Sequence, residues 1–199
     1  EGSPIGGIDD REKYILRILK NNGAKIRLIV NDQKNKIHAR YIFNHGKYLI
    51  IDNTTIIVES CNWVKTGVPI DPSFGNREWG IVVKNQIVAE YFLKIFMDDW
   101  NPKRCDSYSF EKLDLTVPSG FYLDDSIYSG YYKPIFHSLK YCGNFTAIPV
   151  FSPDTSHKAI CNLIDSADDC IYIEQLYIYK DWKNKLSPFI KKLINKSTQ

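Results

Sequence analysis

Apolar positions in the first half of the chain change period several times, and each change marks an element. Ile15, Leu16 and Leu19 share one helical face, Asp9 or Asp10 stands where an N-cap belongs, and Gly23 follows the last periodic turn, so a helix is expected to about Asn22. Residues 25–31, 41–44, Tyr48–Ile51 and Thr55–Glu59 are apolar runs of strand length, with Asp52-Asn53-Thr54 as a hairpin turn between the last two. Residues 65–75 carry glycine and proline and read as a loop. A further buried strand is expected over 79–83. Asn85 then caps a helix to about Trp100, whose broad apolar face is Val88, Tyr91, Phe92, Ile95 and Phe96.

Residues 101–146 show no sustained period; prolines, glycines and many tyrosines predict a connecting segment draped over the core. Regularity returns with an expected strand at 147–151 and a helix at 153–167 with Ile160, Leu163 and Ile164 inward. A strand at 170–176 and a basic helix at 182–195 complete this part. Alternation of this kind predicts an α/β fold, a mixed β-sheet with parallel pairing flanked by helices. Three stretches follow: a compact unit at 1–103, a connection at 104–146, and a fresh β-α-β start at 147–199.

With 44% hydrophobic and 14% aromatic residues, 199 residues can bury a core as one domain or as parts of two. A net charge of +3 is compatible with an anionic substrate and falls well short of the footprint of a dedicated nucleic-acid binder. No apolar run approaches the length of a membrane span. The five cysteines show neither C-x-x-C pairs nor metal spacing, so most are expected to be small buried residues rather than parts of a disulfide framework or a zinc site. The chain begins Glu1-Gly2-Ser3 and its one methionine is Met97, so a native start removed by processing or cutting is expected, and with it any targeting signal.

The chemistry concentrates in three short motifs. His45-Gly46-Lys47 leads into a strand ending at Asp52, a His-x-Lys-x4-Asp pattern; Ser60-Cys61-Asn62-Trp63 and Asn76-Arg77-Glu78-Trp79 follow. A histidine that can attack phosphorus, with a lysine and a Ser-x-Asn to hold phosphoryl oxygens, suits phosphodiester chemistry. On extended chain His45 and Lys47 project to one side and can meet one phosphate. His38, His137 and His157 lack a lysine two residues on and read as structural or solvated. The lysines at 180, 183, 185, 191, 192 and 196, with Trp182, suit the solvated face of a helix or a groove for phosphates. Tyrosines at 122–132 suit packing of the connection, base stacking or acyl-chain burial.

Taken together, these motifs resemble those of the phospholipase D superfamily, which includes phospholipases, phosphatidyl transferases, nucleases and tyrosyl-DNA phosphodiesterases. Residues 8–103 look like the second half of one such domain. Residues 147–199 look like the first half of a following one, through Phe151-Ser152-Pro153-Asp154, the stretch Leu163 to Ala167, and Ile171-Tyr172-Ile173-Glu174. The resemblance implies a metal-independent phosphodiesterase, without a cofactor, that hydrolyses or transfers a phosphodiester of a phospholipid or nucleic acid through a covalent phosphohistidine. By motif position, His45 would be nucleophile or general acid, and Lys47 and Asn62 would bind nonbridging oxygens with Ser60 assisting. Glu78 would orient and stabilise the His45 imidazole, and Asp52 would be structural at its turn. Glu174 would sit at the rim of a site or cap a neighbouring strand. Such sites pair two His-x-Lys motifs. The second half-site would come from a continuation of the chain, which the fragment after 147 favours, or from a homodimer partner. Residues 147–199 completing the sheet of 8–103 as a circular permutation is a third arrangement. Glu59 departs from the family pattern, which has glycine before Ser-x-Asn. This departure and the lone motif support the alternative function, a noncatalytic phosphate- or nucleic-acid-binding module.

Overall fold

The computed structural model describes residues 8–176, 178, 181–182 and 185–197. They fall into two compact units, Glu1–Tyr141 and Cys142–Gln199.

In the first unit, helix α1 spans Asp10–Asn21, and the Asp9 side chain accepts a hydrogen bond of 2.8 Å from the Glu12 N–H. Gly23 adopts φ 92, the left-handed turn that ends the helix. Strand β1 (Arg27–Ile29) follows. Strands β2 (Tyr48–Ile51) and β3 (Thr55–Glu59) form the expected hairpin, and Asp52 and Asn53 take φ 51 and 53 in its turn. Strand β4 (Gly80–Lys84) pairs with β3, giving an antiparallel sheet in the order β2-β3-β4. Asn85 caps helix α2 (Gln86–Asp99) through a 3.0 Å bond from the Val88 N–H. Strand β5 (Ser107–Ser109) pairs antiparallel with β1.

Helix α2 packs on one face of the β2–β3 hairpin. Phe92 and Ala89 are buried, Ile56 is 1% exposed, and the Phe92 ring meets Tyr48 edge-on at 5.4 Å. On the opposite face Leu49, Ile51 and Val82 are exposed. A long strap from the following segment closes over the 65–77 loop. Lys65 pairs with Asp124 at 2.9 Å, the Ser129 hydroxyl donates to Asp71 at 2.6 Å, and the Tyr132 N–H donates to the Ser73 carbonyl at 3.1 Å.

Where Arg40 lies, the structure departs from the expected strand at 41–44, whose residues form no strand. The Arg40 N–H and Nε both donate to Asp106 Oδ2, at 2.8 and 3.0 Å, and the Ala39 N–H donates to Asn31 Oδ1 at 2.9 Å. Side-chain acceptors thus take the backbone donors of Ala39 and Arg40, immediately before the expected strand. Arg40 also pairs with Asp98 at 3.1 Å and Asp99 at 3.5 Å, both at the end of α2. Asp106 is fully buried.

In the second unit, helix α3 spans Ser156–Asp165 and buries Cys161 and Ile164, whereas Ile160 and Leu163, expected inward, are exposed. The expected strands at 147–151 and 170–176 are not strands among the described residues. A short hairpin, β6 (Asp181–Trp182) with β7 (Lys185–Leu186), precedes helix α4 (Pro188–Ser197), so the last helix starts later than expected. Proline at its first position fits a helix start, where an N–H has no intrahelical partner. Lys192 pairs with Asp165, and Lys196 Nζ donates to the Ala167 carbonyl at 2.9 Å. Lys180 and Lys183 lie outside the described residues.

The chain is a mixture of helices and small antiparallel sheets. The parallel pairing expected from the alternation is absent among the described residues: β1 pairs with β5, and the stretch between β1 and β2 is bound to Asp106 rather than into a ladder.

Removing one member of a buried ion pair leaves the other charge uncompensated, at a cost of about 3–5 kcal/mol. Arg40→Met is therefore expected to lower unfolding free energy by that amount in urea titrations. Adding Asp106→Leu should recover much of the loss.

Candidate functional site

The β2–β3 hairpin places the motif residues. The Glu59 N–H donates to the Lys47 carbonyl at 3.1 Å, extending by one pair the register in which Tyr48 faces Val58. Lys47 thus stands directly across from Glu59, and Glu59 across from Gly80. Tyr48 and Ile50 point to α2, so strand alternation sends Lys47 to the other face with Leu49. Lys47 folds back so that its ammonium donates to the His45 carbonyl at 2.8 Å. It is half-buried and enters no ion pair among the described residues; His45, two residues earlier, is exposed.

Ser60 joins the hairpin to the third motif. Its hydroxyl donates to Glu78 Oε2 at 2.5 Å and accepts the Trp79 N–H at 3.0 Å, while its N–H donates to the Trp79 carbonyl at 2.8 Å. The other Glu78 oxygen accepts from the Asn76 amide at 3.4 Å. Among the described residues no hydrogen bond joins Glu78 to the His45 ring: the structure brings Ser60, Asn76 and Glu78 together, and His45 with Lys47. Asn62 is exposed in a tight loop, where its carbonyl accepts the Val64 N–H at 2.8 Å. A Cβ on Gly67 would fall 2.1 Å from that carbonyl, so only glycine lets the loop close around Asn62.

Glu59 is fixed by two neutral donors, the Cys61 thiol at 3.0 Å and the Trp63 indole N–H at 2.5 Å. The Cys61 bond, then the Trp63 bond, hold its carboxyl below the usual carboxylate range. The same bond to Glu59 pushes the Cys61 thiol up, which keeps it protonated. The alternation Glu59-x-Cys61-x-Trp63 was the available signal for this cluster. Arg77, inside the third motif, has a seat that the motif does not reveal. Its guanidinium lies over the Tyr132 ring at 5.5 Å and the Phe136 ring at 5.3 Å, and donates to the Tyr132 hydroxyl at 3.3 Å. The tyrosine-rich segment that supplies Tyr132 was its only trace in the sequence.

Behind the His-Lys segment, on the α2 side, lies a cavity of about 330 Å³ bordered by Arg27, Asn44, Gly46, Tyr48, Asp99 and Trp100. Burial raises the Asp99 carboxyl despite the neighbouring Arg40 charge. Among the described residues no three His, Cys, Asp or Glu side chains gather where they could hold a metal ion.

The residues 8–100 that contain this hairpin, Ser60-x-Asn62 and Glu78 match the family described as cardiolipin synthase, PLD-like domain. This region is similar to phospholipase D-like domains. That family consists mostly of phosphodiesterases, which act on phosphodiester substrates. None of the curated proteins and none of the solved structures matches the chain. No described helix is long and apolar enough to cross a membrane.

Within the matched region, Tyr48 anchors the hairpin to α2. Burial, then the Asp99 charge, push its phenol up to about 12. Because the folded value lies above the unfolded value of about 10, the neutral phenol is the favoured native form. The associated stability is fully present below about pH 10 and is lost as the pH rises towards 12. Tyr48→Phe is expected to remove the latest-ionising component of the tyrosinate absorbance titration and to raise the midpoint of alkaline unfolding.

Proposed function

We propose that the domain is a phosphodiesterase that works through a phosphohistidine, with His45 as the attacking imidazole. The observation that carries this reading is the His45-Lys47 pair at the mouth of the β2–β3 hairpin, with the Lys47 ammonium free of any described carboxylate. An imidazole nitrogen of His45 attacks phosphorus and the bond to the leaving alcohol breaks. Charge gathers on the nonbridging oxygens, where the Lys47 ammonium and the Asn62 amide supply donors and Ser60 assists. Water then attacks phosphorus, the P–N bond breaks, and a phosphomonoester leaves; an alcohol in place of water gives transfer.

The leaving alkoxide needs a proton, which a second imidazole supplies and then takes back from the attacking water. That imidazole comes from a second half-site, contributed by a continuation of the chain or by a second copy. Glu78 serves the His45 imidazole by stabilising its positive form. Substrate binding brings the two together, and the Ser60 and Asn76 bonds hold the carboxylate ready. Asp52 shapes the turn, and the chemistry requires no metal. The substrate is a phospholipid or a nucleic acid.

A noncatalytic phosphate-binding module is the second reading, favoured by Glu59 in the place of the family's glycine. The two separate in a hydrolysis assay with bis(p-nitrophenyl) phosphate in EDTA. The phosphodiesterase reading expects release of nitrophenol that survives chelation and falls at least about a hundredfold in His45→Ala, in keeping with loss of a covalent catalyst. Phosphate binding without turnover, unchanged by His45→Ala, would support the module instead.

A further inference from the structure

We propose that Glu59 sets the charge selectivity of this site, admitting a singly charged phosphodiester and disfavouring a doubly charged phosphomonoester. The proposal rests on the reading of Lys47 as a phosphate ligand. It explains a residue that the reaction itself leaves without a role.

Three observations carry it. The first is position: Glu59 stands directly across β2–β3 from Lys47, tied by the 3.1 Å bond between their backbones, and neighbouring side chains at such pairs lie on one face. Across the next strand comes Gly80, whose missing Cβ would sit 3.4 Å from the Glu59 Cβ, so the carboxylate is crowded by no side chain there. The second is anchoring. Cys61 and Trp63 fix both carboxylate oxygens with neutral hydrogens, and no cation pairs with Glu59 among the described residues. Its negative charge is therefore held in place and not cancelled. The third is what the anchoring leaves undone: the carboxylate is drawn to the Cys61–Trp63 loop, and the Lys47 ammonium stays available to an anion.

A fixed ammonium with a fixed carboxylate on the neighbouring strand discriminates by charge number. The first negative charge on a ligand gains the Lys47 contact and its hydrogen bonds. Within this half-site the second meets no further cation on the facing strand, where Glu59 stands, and it meets the Glu59 repulsion, which specificity by repulsion requires. A phosphodiester carries one charge. A phosphomonoester, with a second pKa of about 6, carries nearly two at mildly alkaline pH. Since hydrolysis of a diester yields a monoester, the same carboxylate would speed product release. Glycine at this position would bind the two classes more evenly.

Binding to the intact chain tests this without requiring turnover. Dimethyl phosphate and methyl phosphate are titrated at about pH 8, where the second is close to doubly charged, into wild type, Glu59→Gln and Lys47→Ala, and followed by two-dimensional amide and indole N–H spectra. These spectra also report whether each variant is folded. Wild type is expected to favour dimethyl phosphate. Glu59→Gln, which keeps the shape and the acceptor for Trp63, should shift the preference towards methyl phosphate on the order of tenfold. Glu59→Gly, if folded, should shift it the same way. An unchanged preference in Glu59→Gln, with binding of dimethyl phosphate still lost in Lys47→Ala, would overturn the role of Glu59 alone. Binding indifferent to Lys47→Ala, or no binding of either ligand to wild type, would overturn the phosphate-site reading and this inference with it.

Discussion

The buried pairing of Arg40 with Asp106 holds together segments far apart in the chain. The Asp106 carboxylate has no exposed surface, so its charge must be met from within, and Arg40 meets it with its backbone N–H and its Nε. From there the constraint spreads. The Asp106 carbonyl takes the Val30 N–H at 2.9 Å and extends the β1–β5 pairing. The Arg40 guanidinium reaches Asp98 and Asp99, and the Tyr41 hydroxyl donates to Asp99 at 3.2 Å. Helix α2, pinned at that end, lays Phe92 under Tyr48 and fixes the hairpin from below. His45 lies five residues after Arg40, so its segment leaves an anchored point and enters a second one at Tyr48.

Division of labour between the faces of the sheet follows from strand alternation. Tyr48, Ile50 and Ile56 pack towards α2, and the other parity carries Lys47, Leu49 and Glu59. Charged chemistry and core packing thus use alternate residues of the same strands, and neither can be moved by one position without losing both. Ser60, at the end of β3, links the strand to Glu78 and to the Trp79 backbone. Carboxylate and hydroxyl are held by the continuation of the sheet, which is the rigidity the proposed phosphoryl transfer needs.

Legibility in the sequence tracked how local the cause was. The hairpin, its Asp52-Asn53 turn and both capped helices of the first unit were readable because Asp9, Asn85 and the alternation of 48–59 act within a few residues. The stretch 41–44 misled because its apolar pattern suits a strand, while Arg40 is drawn away by Asp106, 66 residues later. In the second unit Ile164 is buried as its period predicts, but Leu163 is exposed and Cys161 is buried in its stead, since the packing partner decides which stripe is covered. Of the proposed site, His45, Lys47, Ser60, Asn62 and Glu78 stand out in the sequence as motifs. The anchors of Glu59 and the aromatic seat of Arg77 do not, because each depends on neighbours whose types are ordinary and whose spacing is set by the fold.

The most direct test of the central claim is to trap the intermediate. Rapid quench of the protein with a chromogenic phosphodiester, followed by intact mass and peptide mapping, should show a phosphoryl adduct on the peptide containing His45 that is stable in base and lost in acid. An acid-stable adduct on Ser60 or elsewhere, or turnover with no adduct at any quench time, would contradict the account.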